Sequence, residues 1–398
     1  MAMGPLKRLR SVKERGHDAT NSMTRHREGK MKIIKKTMRL VSLLGAMVAV
    51  VGLVRPALTA EPVQITYGYH PYWTGAWYGV ILKKKELWKK YLPPGSTVRF
   101  EPHLTGPPMI NAMLADKMQI GTMGDMPSLV LTTKQKIADV RLVSVTMFSN
   151  GQTCNKFLVG KNAPQFNDYN DAMKWMSGKP FAYHKGTCAN RATESLIAKG
   201  VFKPSEILVM PIEVIASNFE AGKLAAGIMW EPHARRQVEL GNARYAATGA
   251  PWHEMDANFT SMRQDFIEKH PEAAVGWLKA EIEALQFLIS NPQESVKTIA
   301  SELTGYDEKT VWAALYEANP ASVGGDPVNY VAKLTFDNDI MGLMKTGYSF
   351  LHSIKVIESP EMPANAINPE PLKQAMKEMG VSAPLGEIRG QPRTAFQK

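Results

Sequence analysis

The sequence predicts an α/β protein of two domains built on mainly parallel sheets. Short β-rich stretches alternate with helical ones from residue 63 to residue 230, the order that layers helices onto a sheet. The 338 residues after the first sixty exceed one typical core. Apolar residues make up 44% and charged residues 21% of the chain, a globular rather than a disordered composition.

Residues 63–69 alternate and are β-rich, a first strand. An aromatic loop follows, His70-Pro71-Tyr72-Trp73-Thr74-Gly75-Ala76-Trp77-Tyr78. Residues 79–91 read as a helix, stopped by Pro93-Pro94-Gly95. Residues 98–104 form a strand and 107–115 a helix, with proline in the first turn where no backbone N–H is needed. Then come strand 119–123, helix 127–134, and strands 140–148 and 154–160. A second run reads helix 169–176, strand 180–184, helix 187–199, strand 207–211, helix 215–221 and strand 225–230. From Asp265 long amphipathic stretches dominate, at 265–290, 292–303, 307–318 and 331–351, with a last helix at 369–379.

The net charge of +11 is unevenly placed. Residues 1–60 hold 13 of the 48 Lys and Arg and 3 of the 37 Asp and Glu, which leaves 35 against 34 in the rest. A near-neutral folded part argues against nucleic-acid binding, which needs a basic face. Lys32, Lys35, Lys36 and Arg39 precede a charge-free apolar run at 40–54, and small residues end at Ala60. Basic region, short apolar region and small-residue site make a secretory signal peptide over 31–60, with cleavage near Ala60. The run is short for a membrane span, which takes about 20 residues, and an uncleaved anchor is the competing reading. Residues 1–30 lack periodicity and read as a leader or an over-extended start, with translation beginning at Met31 or Met38. An exported, near-neutral chain belongs in the periplasm or outside the cell.

Cys154 and Cys188 are the two cysteines. In an oxidising compartment an isolated pair reads as one disulfide. Closing that loop stabilises by roughly 3–4 kcal/mol in the chain-entropy model. Two separately buried thiols are the alternative. Two cysteines without a CxxC are too few for a zinc site, and no cofactor is implied. The 17 methionines after residue 60 include Met109 and Met113, spaced as core filling on a helix. A soft-metal site is the sharper alternative, but no His/Met/Cys spacing repeats to support it.

Several strands end in turns that lead into helices: Thr105-Gly106-Pro107-Pro108, Gly124-Asp125-Met126-Pro127 and Lys185-Gly186-Thr187-Cys188-Ala189-Asn190, with Trp230-Glu231-Pro232 similar but lacking glycine. Helix N-termini leave N–H groups unpaired at the positive end of the dipole, where anions bind without a charged side chain.

At these turns the chain resembles the periplasmic substrate-binding proteins of ABC transporters of the nitrate/sulfonate/taurine type. One block runs from Thr105-Gly106-Pro107-Pro108-Met109 to Gln119-Ile120-Gly121 and Gly124-Asp125-Met126-Pro127, with Gln119 where the family usually carries Asp. A second is Gly178-Lys179-Pro180-Phe181-Ala182 to Gly186-Thr187, and a third runs from Ala221-Gly222 to Trp230-Glu231-Pro232. A fourth runs from His270-Pro271-Glu272 to Asn291-Pro292. The likeness spans about residues 63–300, and its specificity lies in four motifs in order behind an export signal.

The resemblance implies a two-lobed periplasmic binding protein type II fold, with a ligand cleft between lobes joined by hinge strands. Lobe one would be 61–156 and 250–398, and lobe two 157–249. It implies a monomeric receptor for a small organic oxyanion, partnered by an inner-membrane permease and its ATPase. The first-strand loop would supply His70, Tyr72 and Trp73, although these aromatics also suit packing on the lobe. Thr105 and Gly106 would donate to an anion, a role compatible with simple capping. Gly124, Asp125 and Met126 form the next ligand turn, where Asp125 can equally order its own backbone. Gly186, Thr187, Cys188 and Asn190 form the third, and a Cys154–Cys188 disulfide there would stiffen the pocket. His184 and Lys185 would meet an anionic group or remain solvated. Trp230 would stack on ligand or serve the core, and Glu231 suits an amine or hydroxyl. The aromatic loop leaves an aromatic carboxylate as a second ligand class. A signal-transducing receptor, and an enzyme of the branch that makes the thiamine pyrimidine precursor, are the other readings. That enzyme branch carries a cysteine cluster which this chain lacks.

Overall fold

The computed structural model describes residues 61–396. The expected leader and signal peptide, residues 1–60, lie outside them. The chain opens with β1 (Gln64–Tyr69), α1 (Trp77–Lys84), β2 (Thr97–Pro102), α2 (Gly106–Leu114), β3 (Ile120–Gly124), α3 (Asp125–Thr132) and β4 (Val140–Ser149). It continues with β5 (Lys156–Gly160), α4 (Tyr169–Met176), β6 (Pro180–Tyr183), α5 (Cys188–Ala198), β7 (Glu206–Val209), α6 (Ile212–Glu220), β8 (Ala226–Met229), α7 (His233–Glu239) and β9 (Ala243–Ala247). Then follow β10 (Asp256–Arg263), α8 (Gln264–Lys269), α9 (Pro271–Ser290), α10 (Pro292–Ala300), α11 (Glu308–Leu315), β11 (Val328–Ala332), α12 (Asn338–Ser353), α13 (Glu370–Met379) and β12 (Gly386–Arg389).

The strands form two sheets. The larger has the order β12-β11-β4-β10-β3-β1-β2 and the smaller β7-β6-β8-β5-β9. Both are mixed, which corrects the expectation of mainly parallel sheets. The βαβ units give parallel pairs, β1 with β2 and β3, and β6 with β7 and β8. The strands that pass between sheets run the other way: β10 is antiparallel to β3 and β4, and β5 to β8 and β9. A chain that crosses into a second sheet and returns must enter the first in reverse, and local periodicity carries no trace of that.

The two crossings, between β4 and β5 and between β9 and β10, lie side by side. Gly249 N donates to Gly151 O at 3.1 Å, and Asn155 Nδ2 to Glu254 O at 2.6 Å. Gly151 has φ +66°, and a Cβ there would sit 2.6 Å from the Gly249 backbone, so only glycine lets the crossings touch. Ser149 Oγ donates to Asp256 at 2.9 Å, and Thr153 Oγ1 donates to the same carboxyl. This is the hinge of a two-lobed fold.

Several helix expectations are corrected. The helix expected over 79–91 ends at Lys84, because Glu86 adopts φ 50° and starts a short 3-10 turn. The stretch at 265–290 is two helices, since Pro271 has no N–H to continue the first. The start of the 331–351 stretch belongs to β11, and α12 begins only at the Asp337 cap, whose carboxylate accepts from Ile340 N at 3.1 Å. The strands β9 and β10 carry no clear sequence signal. β10 reads Asp-Ala-Asn-Phe-Thr-Ser-Met-Arg, yet it is buried along nearly its whole length. Its polar groups are satisfied sideways: Asn258 accepts from Trp73 Nε1 at 3.0 Å and donates to Thr146 Oγ1 at 2.8 Å.

Candidate functional site

Three helices of the two lobes begin at one cavity. α2 starts after Thr105, which is extended but makes no capping bond. A cap accepts from the second or third N–H of its helix, and here those positions are Pro107 and Pro108, which have none. The same prolines leave the Thr105 hydroxyl and the Gly106 N–H as the polar groups of that turn. Gly106 is also required sterically, because a Cβ would stand 2.3 Å from Pro127 Cβ at the start of α3. α3 follows Gly124, and its first turn carries Asp125. Asp125 Oδ1 accepts from Met126 N at 2.8 Å, and Pro127 again lacks an N–H, so this helix presents a carboxyl more than free donors.

The α5 turn is built differently. Gly186 has φ +74°, a conformation that favours glycine, and its N–H donates to Asn190 Oδ1 at 3.0 Å. Thr187 caps the helix by accepting from Asn190 N at 3.3 Å and donates to His184 O at 2.8 Å. The next amides, of Cys188 and Ala189, stand in the first turn, whose N–H groups have no partner within the helix. A disulfide joins Cys188 to Cys154, in the first hinge crossing, with Cα atoms 6.2 Å apart.

The cavity is about 380 Å³, within the usual range for small-molecule sites. Of the residues expected at the site, the structure brings together His70, Trp73, Thr105, Gly106, Gly124, Asp125, Gly186, Thr187, Cys188 and Trp230. His184 and Lys185 line it too. Tyr72, Met126, Asn190 and Glu231 do not. Tyr72 packs against His233 and Tyr306, with ring centroids 6.1 and 5.6 Å away. Met126 fills the core with Leu129 and Met344. Asn190 closes the Gly186 turn from behind. Glu231 is buried, with one oxygen accepting from Tyr245 at 2.5 Å and the other from Arg235 N at 2.8 Å, and Lys156 Nζ lies 3.9 Å away. Met109 and Met113 sit in a core cluster under α2.

Burial sets the electrostatics. Asp125 lies under the cavity floor without solvent exposure. Burial pushes it up to about 6, while Arg191, 3.7 Å from its Oδ2, pulls it down. That oxygen makes no hydrogen bond. The neighbouring Asp256 is pushed up to about 7, first by burial. His70 is pushed down to about 4 by burial, so it is neutral at physiological pH. Its Nδ1 meets the His103 carbonyl at 2.9 Å, and a carbonyl only accepts, so Nδ1 carries the proton and Nε2 is the acceptor. Trp230 Nε1 donates to Tyr72 O at 3.2 Å, and Thr74 N donates to Glu231 O at 3.2 Å, which pins the aromatic loop to the β8–α7 turn. The loop hides its apolar area by folding into the core, where Trp77 and Tyr78 are fully buried.

Sequence reasoning missed the apolar part of the lining: Leu104, Ile110, Leu114, Val130, Leu351 and Val356. On α2, residues 107, 110, 111 and 114 share the helical spacing of one face, a signal that was readable. Leu351 and Val356 arrive from a segment more than two hundred residues away in sequence, and no local pattern announces them. Arg191, 4% exposed and facing Asp125, Glu254 and the Met255 carbonyl, was missed as well.

Residues 58–303 match the NMT1-like family. The chain belongs to that family. A protein of Bacillus subtilis (strain 168) named for binding aliphatic sulfonates is 22% identical over 245 residues, 61% of this chain and 71% of that one. The taurine-binding periplasmic protein of Escherichia coli (strain K12) is 21% identical over 248 residues, again 61% of this chain and 71% of that one. Among solved structures, the alkanesulfonate-binding protein SsuA of Xanthomonas axonopodis pv. citri bound to MOPS superposes with a TM-score of 0.60 at 18% identity, covering 78% of this chain and 99% of that one. The desulfurization enzyme DSZB shares the fold at a TM-score of 0.56 and 14% identity, covering 79% of this chain and 99% of that one. The two-lobed fold is therefore common to receptors and to an enzyme, and the site must carry the functional argument.

Proposed function

We propose that this protein is the solute-binding receptor of an ABC importer, which captures a small organic oxyanion in the periplasm and delivers it to a membrane permease. The observation that carries the reading is the convergence of the α2 and α5 N-termini on one cavity between the lobes. Peptide N–H groups and the Thr105 hydroxyl supply anion donors there, and Lys185 adds positive charge at the wall. The names of the relatives support a sulfonate or taurine-like ligand. A ligand amine or hydroxyl would suit the acceptors His70 Nε2 and Asp125. Trp73 and Trp230 in the lining keep an aromatic carboxylate as the second ligand class.

The reading includes export by the 31–60 signal peptide, action as a monomer, and capture without chemical change. The division into lobe one, 61–156 with 250–398, and lobe two, 157–249, is part of it, supported by the distribution of strands between the sheets. A thermal-shift screen of sulfonates and carboxylates tests it, because a ligand bound only by the native state raises the melting point. Mass spectrometry of the released ligand should return it unchanged. A screen in which no oxyanion shifts the melting point, or a ligand returned as product, ends the proposal.

A further inference from the structure

The polar turns account for only one end of the cavity. From Gly106, α2 turns Pro107, Ile110 and Leu114 toward the cavity, and from Asp125 α3 and its end contribute Pro127, Val130 and Lys134. These residues recur at helical spacing, so the lining continues along both helices beyond their first turns. The seven residue steps of helix from Pro107 to Leu114 rise about 10 Å. The cavity is thus a groove with a polar head and an apolar body. Val356, just past the end of α12, supplies further wall, and Leu351, fully buried near the end of that helix, packs behind the lining. Both lie outside the 58–303 stretch that matches the family. Nothing in the lining beyond the turns offers a fixed donor except Lys134 and Asn111.

We infer that the C-terminal segment around Leu351 and Val356 lengthens the ligand site into an apolar groove, and that the protein selects an oxyanion carrying an extended apolar body of about 10 Å. The inference rests on the oxyanion-receptor reading and deepens it. The oxyanion sits at the Thr105–Gly106 and Gly186–Thr187 turns. The body lies between α2 and α3 against Val356, with Leu351 as the core behind it. Water leaves the Ile110, Leu114 and Val130 side chains as the body enters, so affinity grows with the length of the body. Each methylene buried should tighten binding about fourfold until the groove is full.

The test titrates the purified mature protein with straight-chain alkanesulfonates from ethanesulfonate to octanesulfonate by calorimetry. Octanesulfonate should bind at least about a hundredfold tighter than ethanesulfonate. Leu114→Gln and Val356→Gln replace half-buried side chains, and each should lower the octane-to-ethane affinity ratio at least about fivefold. Equal binding of the two sulfonates by wild-type protein overturns the groove and leaves the receptor reading intact. A climb with chain length that Val356→Gln does not blunt overturns the role of the C-terminal segment. Failure of every sulfonate and its carboxylate counterpart to bind overturns the receptor reading, and the groove with it.

Discussion

Gly106 shows how one position serves packing and, under the proposed receptor reading, recognition together. Its missing Cβ lets α2 and α3 begin in contact, and its N–H is one of few donors left in a turn with two prolines. Gly106→Ala should cost about 1–3 kcal/mol by overpacking and weaken ligand binding, read by urea unfolding and by titration. Glu281 makes a different case. It lies fully buried on α9, accepting from Thr260 at 2.6 Å and from Tyr78 at 3.2 Å, with Ser144 as a third donor. Burial pushes it up from 4.5 to about 7. An acid with a raised folded value stabilises fully below its unfolded value, and that contribution is lost as pH rises through about 7. Glu281→Gln should therefore gain stability relative to wild type between about pH 5 and 8, seen as a melting-point difference that grows with pH. His70 and His233, each pushed down to about 4 by burial, act with the opposite sign, so the difference between the two proteins is the diagnostic quantity.

At the scale of elements, the α5 turn depends on the disulfide. Cys188 opens the helix and Cys154 sits in the crossing between β4 and β5, so the bond ties the cavity-lining α5 turn to that crossing. The pairing was readable from composition and compartment; its place in the cavity wall follows from the fold. Replacing both cysteines by alanine should lower stability by roughly 3–4 kcal/mol in the chain-entropy model and loosen ligand binding. Denaturant unfolding of wild-type protein with and without reductant measures the first effect. Thr187→Ala should cost about 1 kcal/mol through the lost cap and weaken binding at the same turn. Helices such as Tyr169–Met176 were legible because their apolar period is local. β10 was not, because its Asp, Asn, Thr and Ser residues are buried by neighbours on both sides and satisfied by side chains distant in sequence.

For the whole molecule, the receptor reading proposed above makes closure about the paired crossings the working motion. Gly151→Val should disrupt it, since φ +66° strains any branched residue and the new Cβ would strike the Gly249 backbone. A loss of about 2 kcal/mol or more is expected. Ligand saturation should reduce the radius of gyration in small-angle scattering, and an unchanged radius would remove hinge closure from the account. Lys156, Glu231, Arg235 and Glu317 link the start of β5, the β8–α7 turn with α7, and the segment after α11 in one network. Lys156 Nζ also donates to Asn319 at 2.6 Å, and Asn319 donates to Gln152 in the crossing at 2.9 Å. The C-terminal segments thereby brace the hinge.

The sequence by itself determined the alternation of strands and helices, the turns that open α2, α3 and α5, and the pair of cysteines. Each follows from spacing, proline and glycine chemistry within a few residues, or from the count of a residue type. Only the tertiary structure decided that β5 and β10 run against their neighbours, that Glu231 is held in a buried ion network and away from the cavity, and that Leu351 and Val356 line the cavity. Those outcomes depend on which surfaces exclude water from one another, and residues hundreds of positions apart have no local pattern through which to show it.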